Sequence, residues 1–494
     1  MNKKKHTRLS IRAKLFAASI VFVLLFSGCK QTVPDEGLVP GIPWLLGSTM
    51  FRLHDFGYEK AEYFIKGTAQ SYVSAEPLTS DGKWNVEPAD EADFRTRIVV
   101  YRPTDPEKFN GTVIVEWFNV SGGTEASSEW IMAHTELLRS GYAWIGVSAQ
   151  KAGIDGAGVT VLPISLSLKK LNPARYSTLI HPGDQYAYDI FRQVGKAIVQ
   201  PQNFNPLGEL KLERAIASGE SQSADYMMTY INAIAPRERI FDAYYIHSRI
   251  HGSAPLAPEP DASDLNFETR DTVRVRDDLD VPVMMLQTET DSTVLGAYLD
   301  SQPDTDMFRV WEVAGTAHAD RYVGNLGLYD TGKNPSVANV AETRYAVPVI
   351  QKCGKPINSG PQHFVVKASI AALDSWLRTG VAPTPADRFA FDESTASFIR
   401  DEFGNVLGGI RTPYVDVPIA TLSGEGQEGD LFCRLYGTTK LFDEATLSTL
   451  YRDHEAYVDA VSASVDDAVE KGFLLQPDGE LIKASAQQSE IGLP

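Results

Sequence analysis

The sequence predicts an α/β fold: a mainly parallel sheet with helices on both faces. Three observations carry this reading. Strand-like and helix-like segments alternate from residue 112 to residue 248, the rhythm of βαβ units. Several strand candidates, such as TVIVEW at 112–117 and VPVMMLQT at 281–288, are almost continuously apolar, as strands buried on both faces are. An apolar fraction of 43% over 494 residues is enough for one large core.

The elements follow in order. Residues 63–73 and 97–101 are the opening strands. Strand 112–117, helix 126–139 and strand 142–147 come next. Helix 184–199 starts at Asp184 after Pro182-Gly183, and Ala187, Ile190, Phe191, Val194 and Ile198 form its apolar stripe. Strand 212–218, helix 222–235 and strand 241–247 continue the alternation, and strands 281–288 and 307–313 and helix 364–378 follow. Residues 249–280 and 321–362 interrupt the rhythm and are expected to be insertions above the strand ends that act as lids. The helical pattern over 443–472 reads as a C-terminal decoration. A Gly327-x-x-x-x-Gly332-Lys333-Asn334 run imitates a phosphate loop, but no strand precedes it and Pro335 blocks a helix start.

The chemistry concentrates at Gly219-x-Ser221-x-Ser223, between a strand and a helix. That layout is a nucleophile elbow, where a serine on a sharp turn exposes its hydroxyl above the sheet. Its flanking residues are small because helix and strand pack closely, and Ser223 replaces the usual second glycine. A control is Gly146-Val147-Ser148, which also ends a strand but is followed by no helical pattern.

The remaining parts follow in the chain order of an α/β-hydrolase: serine, acid, histidine. Strand 281–288 leads into Glu289-Thr290-Asp291, and strand 307–313 into a small-residue loop holding His318. The predicted triad is Ser221, His318 and Asp291, with Glu289 the alternative acid, since order alone does not separate two carboxylates at one strand end. His134 and His181 precede the serine and fit the order poorly. His247 and His251 end a strand and read as satisfied, partly buried side chains, and His363 and His454 as structural ones. The oxyanion hole needs backbone N–H donors. Gln222, directly after the serine, supplies one. The loop Phe118-Asn119-Val120-Ser121-Gly122-Gly123 supplies the other, with Asn119 and Val120 as candidates.

The segments WFNVSGG (117–123), HPGDQYAYDIF (181–191), SGESQSA (218–224), LQTETD (286–291), AGTAHAD (314–320), INSGPQHFV (357–365), GGIRTPYVDVP (408–418) and FCRLYGTT (432–439) resemble a bacterial α/β-hydrolase domain family that includes phthalyl amidase-like proteins. The resemblance implies an α/β-hydrolase fold and hydrolysis of esters or amides.

The N-terminus reads as a targeting segment. Lys3, Lys4, Lys5, Arg8, Arg12 and Lys14 precede an uncharged stretch over 15–28, shorter than the ~20 apolar residues of a membrane helix. It ends in Leu25-Phe26-Ser27-Gly28-Cys29, which resembles a bacterial lipobox with Cys29 as the lipidated residue; the competing reading is an ordinary cleaved signal peptide. The expected organisation is a lipoprotein signal peptide over 1–29, a tether over 30–50 and one domain over 51–494. The product would face the periplasm or cell exterior, lipid-anchored to the cell envelope. Six of the 46 basic side chains and no acidic ones lie in residues 1–29, so the remainder carries 40 basic against 64 acidic groups, a net −24. Such a surface repels nucleic acid and anionic membrane, leaving a small-molecule ester or amide as the expected partner and the lipid as the only membrane contact. Cys353 and Cys433 are expected to form a disulfide in an oxidising compartment. With neither a Cys-x-x-Cys nor a His-Glu-x-x-His present, no metal or cofactor is expected.

These features support an exported serine hydrolase acting on carboxylic esters. The competing readings are an amidase, and a catalytically silent, surface-binding lipoprotein on the same fold. Trp117, Phe118, Tyr244 and Tyr245 are further expected to line an apolar pocket.

Overall fold

The computed structural model describes residues 33–35, 45–156, 166–257, 270–392 and 394–493. Nine strands form one sheet: β1 (Val33–Asp35), β2 (Tyr58–Val73), β3 (Glu87–Pro103), β4 (Thr112–Trp117), β5 (Ala143–Val147), β6 (Arg214–Glu220), β7 (Ala243–His247), β8 (Val283–Thr288) and β9 (Phe308–Val313). Their spatial order is β1-β2-β3-β5-β4-β6-β7-β8-β9. β2 and β3 form a long antiparallel hairpin, and β3 meets β5 antiparallel. From β5 to β9 every pairing is parallel. Each parallel strand is therefore covered on both faces, which explains why β4, β7 and β8 are buried at every position.

The helices divide between those faces. Ala187–Val199 and Gln222–Thr229 cover one, where Phe191, Val194, Met227 and Ile231 meet Val113, Val115 and Ala217. Ser128–Arg139 and Gln362–Thr379 cover the other, where Trp130, Ile131, Phe364 and Ile370 meet Ile114, Ile216 and Leu286. The C-terminal helices His454–Glu470 and Gln476–Gln487 join the second layer through Val461, Val465 and Ile482. The continuous helix expected over 222–235 changes to a π-helical turn at Tyr230–Ile234.

A buried charge cluster fixes the loop after β4. Arg97, fully buried on β3, donates to Glu62 at 2.8 Å and to Glu125 at 2.6 Å, and Ser148 donates to the same Glu125 oxygen. Removing one partner of such a pair costs about 3–5 kcal/mol, because the other charge stays buried.

Parts of the expected tether, near its start and at its end, belong to the domain. β1 pairs antiparallel with β2, Leu45 is buried, and Leu46 exchanges backbone hydrogen bonds with Glu125 and Ser127. Composition marked this stretch as proline- and glycine-rich but held no sign of these distant partners. Residues 1–29 with Cys29, and 30–32 and 36–44 of the tether, lie outside the described residues, as do 258–269 of the first insertion. The second insertion forms a π-helical turn at Tyr322–Leu326, a 3-10 helix at Pro335–Ala338 and a small hairpin of Tyr345–Val347 with Gln351–Lys352. The Cys353–Cys433 disulfide ties the end of that hairpin to the short helix Leu431–Arg434.

Candidate active site

Ser221 sits between β6 and the helix Gln222–Thr229 with φ 56° and ψ −121°. For a non-glycine residue this conformation costs about 1–3 kcal/mol, and it persists only where surroundings enforce it. Here Ser221 N–H donates to the His247 carbonyl of β7 at 3.0 Å, and Asp225 N–H donates to the Ser221 carbonyl at 3.2 Å. Gly219 is required by close approach, since a Cβ there would lie 2.5 Å from the Ser223 carbonyl oxygen. The serine at 223 has a task a glycine could not perform: its hydroxyl donates to Glu220 O at 2.8 Å and accepts from Glu220 N–H at 3.0 Å. The control serine, Ser148, is buried in the Arg97–Glu125 cluster.

The loops after β8 and β9 bring the other two groups to this turn. His318 Nε2 lies 2.8 Å from Ser221 Oγ, and His318 Nδ1 lies 2.6 Å from Asp291 Oδ1. The second oxygen of Asp291 accepts from Thr288 N–H at 2.7 Å, and Thr288 Oγ1 accepts in return from Asp291 N–H. This capping box at the start of the helix Glu289–Thr293 leaves Asp291 one free direction, toward the imidazole. Burial alone would lower the pKa of His318; the charge and hydrogen bond of Asp291, with Glu220 and Asp225 behind it, hold it above the usual histidine value.

Glu289, the alternative acid, points elsewhere. Its Oε1 accepts from Gly315 N–H at 2.7 Å, and its Oε2 from Gly424 N–H at 2.9 Å. It fastens the histidine loop to the segment around residue 424, and Asn358 reinforces that tie by donating to the carbonyls of Gly315 and Ser423. Burial pushes the Glu289 carboxyl up to about 7 against the opposing pull of Arg400 and the two backbone N–H groups.

On the oxyanion side, β4 and β6 pair with Trp117 opposite Gly219, so the loop beyond Trp117 runs beside the elbow. Asn119 is spent. Its N–H donates to Ala126 O, and its side-chain amide donates to both the carbonyl and the carboxylate of Glu220 at 3.1 and 2.9 Å. The sequence reading of Asn119 as a donor to an oxyanion is corrected accordingly. Val120 N–H meets no protein acceptor among the described residues, and Gln222 opens the helix after Ser221.

Sequence reasoning passed over Glu220, whose Oε1 lies 3.5 Å from His318 Nε2. The signal was its place inside the Gly-x-Ser run itself. The expectation for the aromatics is overturned. Trp117, Phe118, Tyr244 and Tyr245 are all 1% exposed or less, and they pack within the two core layers instead of lining a cleft. Of the remaining histidines, His134 bonds Asp330 O, His181 bonds Ala149 O, and His363 stacks on Tyr322. A cavity of about 510 Å³ beside β8 and β9 is lined by Tyr298, Phe308, Arg388, Phe389 and Phe398 and contains none of Ser221, His318 or Asp291. Among the described residues no cluster of three or more His, Cys, Asp or Glu is placed to hold a metal ion.

A parallel sheet with a strained serine at one strand end and a histidine and carboxylate on later loops defines the α/β-hydrolase class. The chain belongs to the family described as alpha/beta hydrolase domain, whose model it matches over residues 31–484. Among solved structures it is similar to Est1E from Butyrivibrio proteoclasticus, at 10% identity over 50% of this chain and 90% of that one, with a TM-score of 0.26. It is also similar to the esterase Est22, at 14% identity over 52% and 72% of the two chains, with a TM-score of 0.25. No curated protein matches the sequence.

Proposed function

We propose that this α/β-hydrolase cleaves carboxylic esters through Ser221, His318 and Asp291. The observation that carries the reading is the unbroken line from Asp291 Oδ1 through His318 to Ser221 Oγ, with contacts of 2.6 and 2.8 Å. His318 Nε2 takes the proton of Ser221 as Oγ bonds to the carbonyl carbon. Asp291 holds the Nδ1–H tautomer and stabilises the imidazolium that forms. The oxyanion is met by the N–H groups of Gln222 and Val120. The imidazolium returns its proton to the leaving group, and water then cleaves the acyl-enzyme by the same steps in reverse.

The substrate is a small neutral ester. The net −24 of the chain beyond residue 29 repels polyanions, and amides react more slowly because their leaving groups are poorer. The enzyme works at the bacterial cell envelope, exported by residues 1–29 and anchored through lipid on Cys29. The test of this ranking is kcat/KM for an ester and an amide sharing one acyl group. A higher value for the ester supports the reading; a clearly higher value for the amide replaces it with an amidase.

A further inference from the structure

The geometry points to Glu220 as a second carboxylate partner of His318, a positioning residue acting on the Nε2 edge of the ring, opposite Asp291. This inference rests on the triad reading above. Glu220 ends β6 directly before Ser221, and its side chain is 12% exposed. Its Oε2 is fixed by the Asn119 amide at 2.9 Å. Its Oε1 stands 3.5 Å from His318 Nε2, the atom that faces Ser221 Oγ at 2.8 Å. Asn119 therefore serves the site indirectly, tying the loop after β4 to the carboxylate beside the base.

The surroundings keep this carboxylate useful. The charged and titratable groups facing it are His318 on the loop after β9, His247 at the end of β7, Glu129 on the helix Ser128–Arg139 and Tyr436 just beyond the helix Leu431–Arg434, while Asp291 and Asp225 also face His318. His247 Nδ1 lies 3.3 Å from Glu129 Oε1, and both side chains are buried. Burial raises the pKa of Glu220, and the two histidines oppose that rise.

The consequence appears during acylation. As Oγ bonds to the carbonyl carbon, the carbonyl π pair moves to oxygen and the Oγ proton passes to Nε2. The ring is then a cation with Asp291 at Nδ1 and Glu220 beside Nε2. Glu220 stabilises that cation while its Nε2–H waits to protonate the leaving oxygen, and the C–O bond then breaks. Without its charge, His318 becomes a weaker base.

The test is the pH profile of kcat/KM for 4-nitrophenyl acetate in the wild type, Glu220→Gln and Glu220→Asp. Glutamine keeps an oxygen for the Asn119 amide but removes the charge, and aspartate keeps the charge but draws it back. The inference predicts an acid limb about one pH unit lower in Glu220→Gln, because an opposite charge at this range shifts a pKa by about that much or more. It also predicts kcat about tenfold lower, KM little changed, and partial recovery of both in Glu220→Asp. An unmoved acid limb in a Glu220→Gln protein that melts like wild type overturns it. Should Glu220→Gln fail to fold, Glu220→Ala, which also removes the charge, is measured in its place: a downward shift of its limb supports the inference and an unmoved limb overturns it. Failure of wild-type Ser221 to react with a fluorophosphonate would overturn the triad reading itself, a result distinct from any of these.

Discussion

Asp291→Asn and Glu289→Gln exchange a carboxylate for an amide two residues apart, and the structure gives them opposite consequences. In Asp291→Asn, the amide oxygen must stay on Thr288 N–H, which sits 2.7 Å from Asp291 Oδ2 and needs an acceptor. The amide NH₂ then faces His318 Nδ1, which carries its proton toward Asp291 in the wild type. Two donors cannot meet, so the ring is driven to the tautomer with its proton on Nε2. That tautomer cannot accept the Ser221 proton. Loss of the orienting acid costs ~10⁴ in turnover in the best-studied serine protease, equivalent to about 5–6 kcal/mol of barrier. In Glu289→Gln one of two oxygens that each accept a backbone N–H, from Gly315 and from Gly424, becomes NH₂, so one donor must face it. The cost is a buried unsatisfied donor, about 1–3 kcal/mol of stability, with the triad contacts untouched. The assay is kcat/KM on 4-nitrophenyl acetate beside thermal unfolding of each variant. Asp291→Asn should be nearly inactive with a small change in Tm, and Glu289→Gln active with a clearly lower Tm. A folded but inactive Glu289→Gln, or an Asp291→Asn within tenfold of wild type, would refute the reasoning.

Three further outcomes are expected. As the proposed base, His318 would act only when neutral, and its neighbours hold its pKa above the ordinary 6.5, so kcat/KM should rise with pH through an acid limb centred above that value; a limb at or below 6.5 contradicts the site electrostatics. The Cys353–Cys433 bond closes a separation of 80 residues, and its loss in Cys353→Ser/Cys433→Ser should cost roughly 4 kcal/mol, read as a lower denaturation midpoint. Cys29→Ser should abolish incorporation of labelled fatty acid in the producing bacterium, and unchanged labelling would remove the lipid anchor from the account.

Much of this was legible because it is local or periodic. The strands β4 to β9 were visible as apolar runs, and the elbow as a small-residue turn between strand and helix. Non-local partners decided the rest. Asp291 and Glu289 look equivalent at the end of β8, and the N–H groups of Gly315 and of Gly424, far along the chain, show that Glu289 is turned away from the imidazole. Asn119 looked like an oxyanion donor until Ala126 and Glu220 took its hydrogens. Trp117 borders the loop in sequence, but strand alternation turns its ring into the layer of Tyr188, Phe191 and Tyr226. β1 was hidden because Val33–Asp35 is three residues long and pairs with residues 64–66.

Ser221 is the proposed nucleophile, and covalent labelling tests that role most directly. The folded protein, incubated with a fluorophosphonate probe and digested, should carry the adduct on the peptide containing Ser221, and Ser221→Ala should carry none. Absence of labelling in folded wild type, or equal labelling of Ser221→Ala, would contradict it.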